Sequence, residues 1–507
     1  MSAQVPAVVR PSMPQASAAR PSRSLALPLT AAILSLLVAA CGDKGESSAS
    51  TEPAQAATPA ATAPTVCKAD ASWISSPNPP SEVAADESFC DFYQFSWQWF
   101  LAQVAPAPDY AASGERVFET NRLHDPNVQS GQCSAQKIMG RAMAAQKLAM
   151  RADKPQDFED VQADGNALYD QRGNILHYNI WYSDAECQST QSGFAAGTFE
   201  IKVSWKILDN PDTSYYTMPA SIGGKDVTLG LVGFHIANWT AKHPEMIWAT
   251  FEHKNNAPLC DGSSPMPPSG WAFASNDAAN CLAQNPVPPG MPPSTACAAF
   301  NFNTPDPIKK GTPPPPVNTP NNVCRMFDHG NQPGDSINGN DNAANLLAIQ
   351  QLNAELVGTD GMLTKLPDTD PMAIWKHYHL IGGIWTKGGA DSGNPPVAYT
   401  VHEKTGDKIM PGDPSSLQRG SLQLTNMSME TFQQGETSWA PNCFGCHGFA
   451  KSDPLDVSHI CNSLFGQDAE GDCLIAPPSG AAPDAKAMGE AMAGQDGNGA
   501  KTAGAAQ

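Results

Sequence analysis

Phe199-Glu200-Ile201-Lys202-Val203-Ser204-Trp205-Lys206 alternates strictly between apolar and polar side chains. Successive side chains of a strand point to opposite faces, so this octet reads as a strand with one apolar face and one wet face. The ranges 175–182, 198–208, 215–222, 227–236 and 246–253 are likewise short and rich in Val, Ile, Thr and aromatic residues, and Gly, Pro, Asn and Asp separate them. Short strands with such punctuation favour antiparallel pairing. The expected fold class is α+β, with a central antiparallel β region and flanking helices.

Residues 91–104 carry Phe92, Phe95, Trp99 and Phe100 at the spacing of one helical face, which predicts a core helix. Helices are also expected at 134–150, 342–356 and 422–433, and residues 372–385 read as a buried aromatic stretch. Between 255 and 341 the chain is loop-like, with Pro286, Pro288, Pro289, Pro292, Pro293 and the run Pro313 to Pro316. Prolines remove donors and break elements, while four cysteines between 260 and 324 can staple such a segment down. An ordered, disulfide-pinned excursion is expected there.

Cys443-Phe444-Gly445-Cys446-His447 has the spacing of a c-type haem attachment site. Two thiols three positions apart can add to the vinyl groups of one porphyrin, and the adjacent imidazole then reaches the iron. With 13 Cys and 11 His in 507 residues, chance alone gives this pattern about 0.007 times per chain. A thioredoxin-like dithiol would open a helix in a βαβ pattern, which is lacking here, and a zinc site would find only His459 and Cys461 at short range. One covalently attached haem c is therefore expected, held by Cys443 and Cys446 with His447 as axial iron ligand. Candidates for the second axial ligand are Met427, Met429, His235, His253 and Met488. A Met there would raise the potential, a second His would lower it, and an open position would admit small ligands.

Arg10, Arg20 and Arg23 precede an apolar run over 25–40, too short for a comfortable membrane span. Leu37-Val38-Ala39-Ala40-Cys41 resembles a bacterial lipobox, which implies lipidation of Cys41 and cleavage before it. Gly42 follows where an Asp would favour inner-membrane retention, so the expected location is the cell envelope, on the outer membrane facing the periplasm. The expected organisation is a lipoprotein signal peptide over 1–40, a flexible tether over 41–65 and an α+β domain over 66–341. A mainly helical haem-binding region over 342–476 and a disordered tail over 477–507 follow.

Cys67, Cys90, Cys133, Cys187, Cys260, Cys281, Cys297, Cys324, Cys461 and Cys473 remain as an even set in an oxidising compartment. Preferred pairs are Cys67 with Cys90, Cys297 with Cys324, and Cys461 with Cys473, although connectivity does not follow from sequence. Without the three leader arginines, 27 basic side chains face 50 acidic ones, a net of −23. Such a field disfavours nucleic acid and favours a basic redox partner or a small cation. No phosphate-binding glycine loop, nucleophile elbow or zinc-protease helix motif occurs.

The lipobox, the single Cys-Phe-Gly-Cys-His-Gly, and the segments Leu229-Gly-Leu-Val-Gly-Phe-His235, Ile247-Trp-Ala-Thr-Phe-Glu-His253 and Leu424-Thr-Asn-Met-Ser-Met-Glu-Thr431 resemble a family of large exported bacterial single-haem proteins of the cytochrome c type. The resemblance implies haem binding by Cys443, Cys446 and His447. It departs from small class I cytochromes, because the motif comes late in the chain. The expected function is electron transfer by a membrane-tethered monohaem cytochrome, with a redox partner protein or a small oxidisable substrate. A simple carrier needs only about 100 residues, so the mass ahead of the motif leaves an alternative: a haem-dependent oxidoreductase, peroxidase-like or oxygenase-like, with its substrate pocket in the N-terminal region.

Overall fold

Octet 199–206 forms part of an eight-stranded antiparallel sheet. The computed structural model describes residues 66–120, 123–124, 167–189, 193–222, 225–300, 319–334, 336–337, 340–387, 418–431, 434, 442–445, 447, 455 and 457–459. The strands are β1 (Leu123–His124), β2 (His177–Ser183), β3 (Phe199–Leu208), β4 (Thr217–Ile222), β5 (Lys225–Asn238), β6 (Ile247–His253), β7 (Tyr378–Thr386) and β8 (Gln418–Gly420). The longer helices are α1 (Phe89–Val104), α2 (Asn276–Gln284) and α3 (Asn342–Val357). The sheet order is β1-β2-β3-β5-β6-β7-β8. Strand β5 pairs with β3 along one edge, and with β4 and then β6 along the other. The α+β class and the antiparallel sheet agree with the sequence reading.

One face of the sheet packs beneath α1 and α3. Ile201, Val203 and Trp205 of β3 join Phe234, Ile236, Phe251 and Leu380 in this core. Helix α1 begins with a capping box, in which Asp91 N donates to Ser88 Oγ and Ser88 N donates to the Asp91 carboxylate. That arrangement satisfies two amides which the first turn would otherwise leave unpaired. Phe100 stacks on Phe251 at a ring separation of 4.0 Å, and Phe92 stacks on Trp385 at 3.9 Å. Full burial of each such ring is worth roughly 1.5–3 kcal/mol. The Cys67–Cys90 disulfide ties the preceding chain to α1, as expected.

The other face is not wet. Glu200 is 3% exposed and Ser204 0%, because the returning chain crosses this surface, with residues 421–431 over Ser204 and Ser458 and His459 against Glu200. Ser428 Oγ lies 2.6 Å from Ser204 Oγ, Asn426 Nδ2 donates to Thr250 Oγ1 at 2.8 Å, and Met427 N donates to Glu252 Oε1 at 2.8 Å. A Cβ on Gly233 would lie 2.2 Å from Ser428 Oγ, so glycine is what permits this approach.

The helix expected over 422–433 is a series of turns in its described residues, 422–431. Asn426 Oδ1 accepts from both Ser428 N and Ser428 Oγ, and such local side-chain bonds compete with helix formation. The Pro-rich excursion contains α2, capped by Ser275, which a proline count does not reveal. The pairing Cys297 with Cys324 is corrected to Cys260–Cys324 and Cys281–Cys297. Cys260 N donates to Arg325 O and Arg325 N to Pro258 O, which brings Cys260 to Cys324, while α2 carries Cys281 to Cys297.

Strands β7 and β8 and helix α3 fall within 342–476, yet they complete the same sheet and core as residues 177–253. The expected helix at 134–150, leader, tether and tail, together with Cys41, Cys446, Met488 and the pair Cys461 with Cys473, lie outside the described residues. No helix among the described residues is long and apolar enough to cross a membrane.

Candidate haem cleft

Cys443–Gly445 forms one turn of 3-10 helix, and His447 N closes it by donating to Cys443 O at 2.8 Å. Asn442 anchors this turn. Its Oδ1 accepts from Phe444 N, and its Nδ2 donates to Gln418 Oε1 on β8 and to Leu422 O. Phe444 then inserts among Trp248, Ile384, Leu422, Leu424, Leu455 and Val457 on the second face of the sheet. The motif is thus docked by one amide side chain and one buried ring.

His447 is oriented on two sides. Its Nδ1 lies 3.0 Å from Val457 O, and since a carbonyl only accepts, the ring donates there. Its ring packs against Trp248 at 4.4 Å and, edge-on, against His459 at 4.3 Å. Burial, reinforced by the neighbouring His459, pushes the imidazole down to about 3, so it is neutral near pH 7. With the proton on Nδ1, the lone pair sits on Nε2, which makes no hydrogen bond among the described residues. A carbonyl that fixes the tautomer in this way is the usual outer partner of a metal-bound histidine.

A cleft of about 670 Å³, open mouth included, lies beside this ring, with Cys443, His447, Trp248 and Leu424 in its wall and Ala237 and His235 on its sheet floor. The residues fit a haem in kind: a thiol, an aromatic and aliphatic lining, and a nitrogen lone pair without a hydrogen-bond partner among the described residues.

Acidic groups stand behind the ring. His459 Nδ1 and the Glu200 carboxylate are hydrogen-bonded. Burial would raise the Glu200 carboxyl, but the charge and hydrogen bond of His459 hold it down to about 2. Glu186, wholly buried, is pushed well above the usual carboxylate range by burial and then by the charge of Glu200. Ser458 Oγ lies 2.5 Å from Glu186 Oε1 and 2.9 Å from Glu200 Oε2. The Ser458 hydroxyl thus stands within donating distance of both carboxylates and bridges them.

Of the proposed second ligands, His235 lines the cleft and the other described ones do not. Met427 is buried with its Sδ facing Gln434 Nε2, and Met429 packs with Leu176, Val232 and Phe273. His253 lines a separate cavity, and both its nitrogens are engaged, by Ser214 O and by Asn255 N. Among the described residues, no group of three or more His, Cys, Asp or Glu is arranged to hold an ion by protein atoms alone. Sequence reasoning missed Glu200, Glu430 and Ser458 and weighed His459 only for zinc. No local pattern joins them, because Glu200 lies on β3 while Glu430, Ser458 and His459 come from the returning chain more than 190 positions later.

Comparison with family models, with curated proteins and with solved structures gives no match.

Proposed function

We propose that this chain is a monohaem c-type protein of the bacterial cell envelope, carrying haem on Cys443 and Cys446 with His447 as axial ligand. The observation that carries the reading is the bond from His447 Nδ1 to Val457 O, which leaves Nε2 without a hydrogen bond among the described residues, beside a cleft lined also by Cys443. The haem-binding region is proposed to span 342–476, with its helical part beginning at α3. Cys41 is proposed as the lipid anchor, with the folded part in the periplasm.

Bound there, haem supplies one-electron chemistry at its iron. The chain's own part is to hold the macrocycle against Trp248 and Leu424, to keep one imidazole neutral and oriented, and to exclude bulk water with Phe444. Electron transfer is the first reading, and the net charge of the mature chain suits a basic partner protein. A haem-dependent oxidoreductase is the second reading. It is favoured by His235, which lines the cleft while tied to Glu430 and so is not set up as a simple axial ligand.

Protein matured in a host competent for c-type cytochromes should give a c-type haemochrome in alkaline pyridine, and a Cys443→Ser, Cys446→Ser variant should not. A wild-type preparation without that spectrum overturns the reading. Low-spin ferric bands without carbon monoxide uptake by the reduced form select the carrier, whereas rapid carbon monoxide binding selects the enzyme.

A further inference from the structure

Two adjacent rows of side chains cross the floor of the cleft. Strand register aligns Glu200, Ala237 and Trp248 in one row and Lys202, His235 and Thr250 in the next. The first row carries the haem-side imidazoles, since Glu200 pairs with His459 and Trp248 packs on His447. The second row lies two residues further along each strand, a step of about 7 Å. It presents His235 to the same cleft without contact with His447.

His235 is held by a carboxylate. Its Nε2 lies 2.9 Å and 3.0 Å from the two oxygens of Glu430, which also accepts from Asn426 N at 3.2 Å. Lys202 Nζ stands 3.8 Å from the same carboxylate, and Glu200 and His459 face the pair across the cleft. Burial alone would raise the Glu430 carboxyl, but the proximity of His235 and Lys202 keeps it below its ordinary value, so it is an acceptor. An ionised acceptor at Nε2 fixes the proton there and leaves the lone pair on Nδ1. Nδ1 of His235 makes no hydrogen bond among the described residues.

That tautomer argues against His235 as a second axial ligand. Nδ1 is adjacent to the ring carbon that bears Cβ, so coordination through it would drive the β5 backbone toward the porphyrin plane. A small molecule meets no such obstacle. Resting on the haem reading above, we propose that His235, positioned by Glu430, is the proton acceptor for a small weak acid HX, of the size of hydrogen peroxide, that enters the haem cleft. The H–X bond breaks, its electron pair stays on X, the proton forms an N–H bond at Nδ1, and the Glu430 carboxylate balances the resulting cation. Carboxylate-oriented imidazoles serve this purpose in general acid–base catalysis.

Hydrogen cyanide is a suitable probe, because it must lose its proton to bind ferric haem and is not consumed. Stopped-flow association with the ferric holoprotein at pH 7 should be slowed about a hundredfold by His235→Gln, with the ferric absorption spectrum before mixing unchanged. Glu430→Gln should slow it by about tenfold, and Glu430→Asp, which keeps a carboxylate, should recover part of that loss; this series reads the proposal even if His235→Gln does not fold. Unchanged cyanide rates overturn the proposal, and so does a change of His235→Gln from low-spin to high-spin ferric bands, the signature of a lost axial ligand. Absence of a pyridine haemochrome from the wild type overturns the haem reading and this proposal together, whereas a normal haemochrome with unaffected rates overturns this proposal alone.

Discussion

His447 Nδ1 donates to the backbone carbonyl of Val457 at 3.0 Å. The acceptor is main chain, so its position depends on the turn at residues 455–459 and not on a side chain that could rotate away. Ser458 N donates to Leu455 O within that turn, and Val457 itself is fully buried. One face of the imidazole is thereby committed and the opposite nitrogen is left to the cleft.

Removing that nitrogen should be reversible from solution. A His447→Ala chain keeps both motif cysteines, so after maturation its mass should still include one haem, while the ferric spectrum loses its imidazole character. Added imidazole should restore the wild-type bands by entering the vacated space. Spectra taken with and without imidazole check this, and a His447→Ala spectrum identical to the wild type would remove His447 from the iron.

The two buried carboxyls should titrate stability in opposite senses. Glu186 is raised above its ordinary 4.5, so the stability it contributes is present below that value and is lost as pH rises. Glu186→Gln cannot ionise, so it should be more stable than the wild type at pH 8, and the gain should vanish near pH 4. Glu200 is lowered from 4.5 to about 2, so its contribution is present above 4.5 and disappears as pH falls through 2. Glu200→Gln should therefore lose stability at pH 7 and converge with the wild type in acid. Thermal midpoints across pH give both curves.

Filling the close approach at Gly233 should be costly. A methyl group there meets Ser428 Oγ at 2.2 Å and Ser204 Oγ at 2.6 Å, both buried. Overpacking of this kind costs about 1–3 kcal/mol. Gly233→Ala should lower stability by that amount in urea unfolding. It should also perturb the haem spectrum, because the displaced segment carries Leu424 and Glu430 into the cleft wall. A stable variant with an unchanged spectrum would show that the segment is not packed on β5.

The excursion should be held by its own two bridges. Peptide mapping without reduction should recover Cys260 joined to Cys324 and Cys281 joined to Cys297. Cys260→Ala with Cys324→Ala opens a loop with a separation of 64 residues and should cost about 2–5 kcal/mol. Recovery of Cys297 linked to Cys324 would restore the pairing preferred from sequence.

Much of the sheet was legible because its signals are short. The octet at 199–206 predicts β3 almost to the residue, and the five expected strands all appear with shifts of a residue or two at their ends. Helix α1 was legible from its aromatic spacing, and α3 forms where a helix was expected, over Asn342–Val357. The expected wet face of β3 was not wet, because alternation tells which side chains share a face and says nothing of what later covers it. The same limit applies to the cleft. His235 was among the ligand candidates, but its tie to Glu430 joins residues 195 positions apart.

What the amino-acid sequence alone determined is therefore local: strand periodicity, the aromatic spacing of the helix over 91–104, and a cysteine pair followed at once by histidine. Each of these depends on residues within a turn or two of one another. Only the tertiary structure decided which cysteines of the excursion meet, what buries Glu200 and Ser204, and which of several histidines share one cleft. Those outcomes rest on contacts such as Ser204 with Ser428, 224 positions apart, and Glu200 with His459, 259 apart. Neither partner carries a local signal of the other, because the free energy that joins them comes from packing the returning chain across a sheet that must already exist.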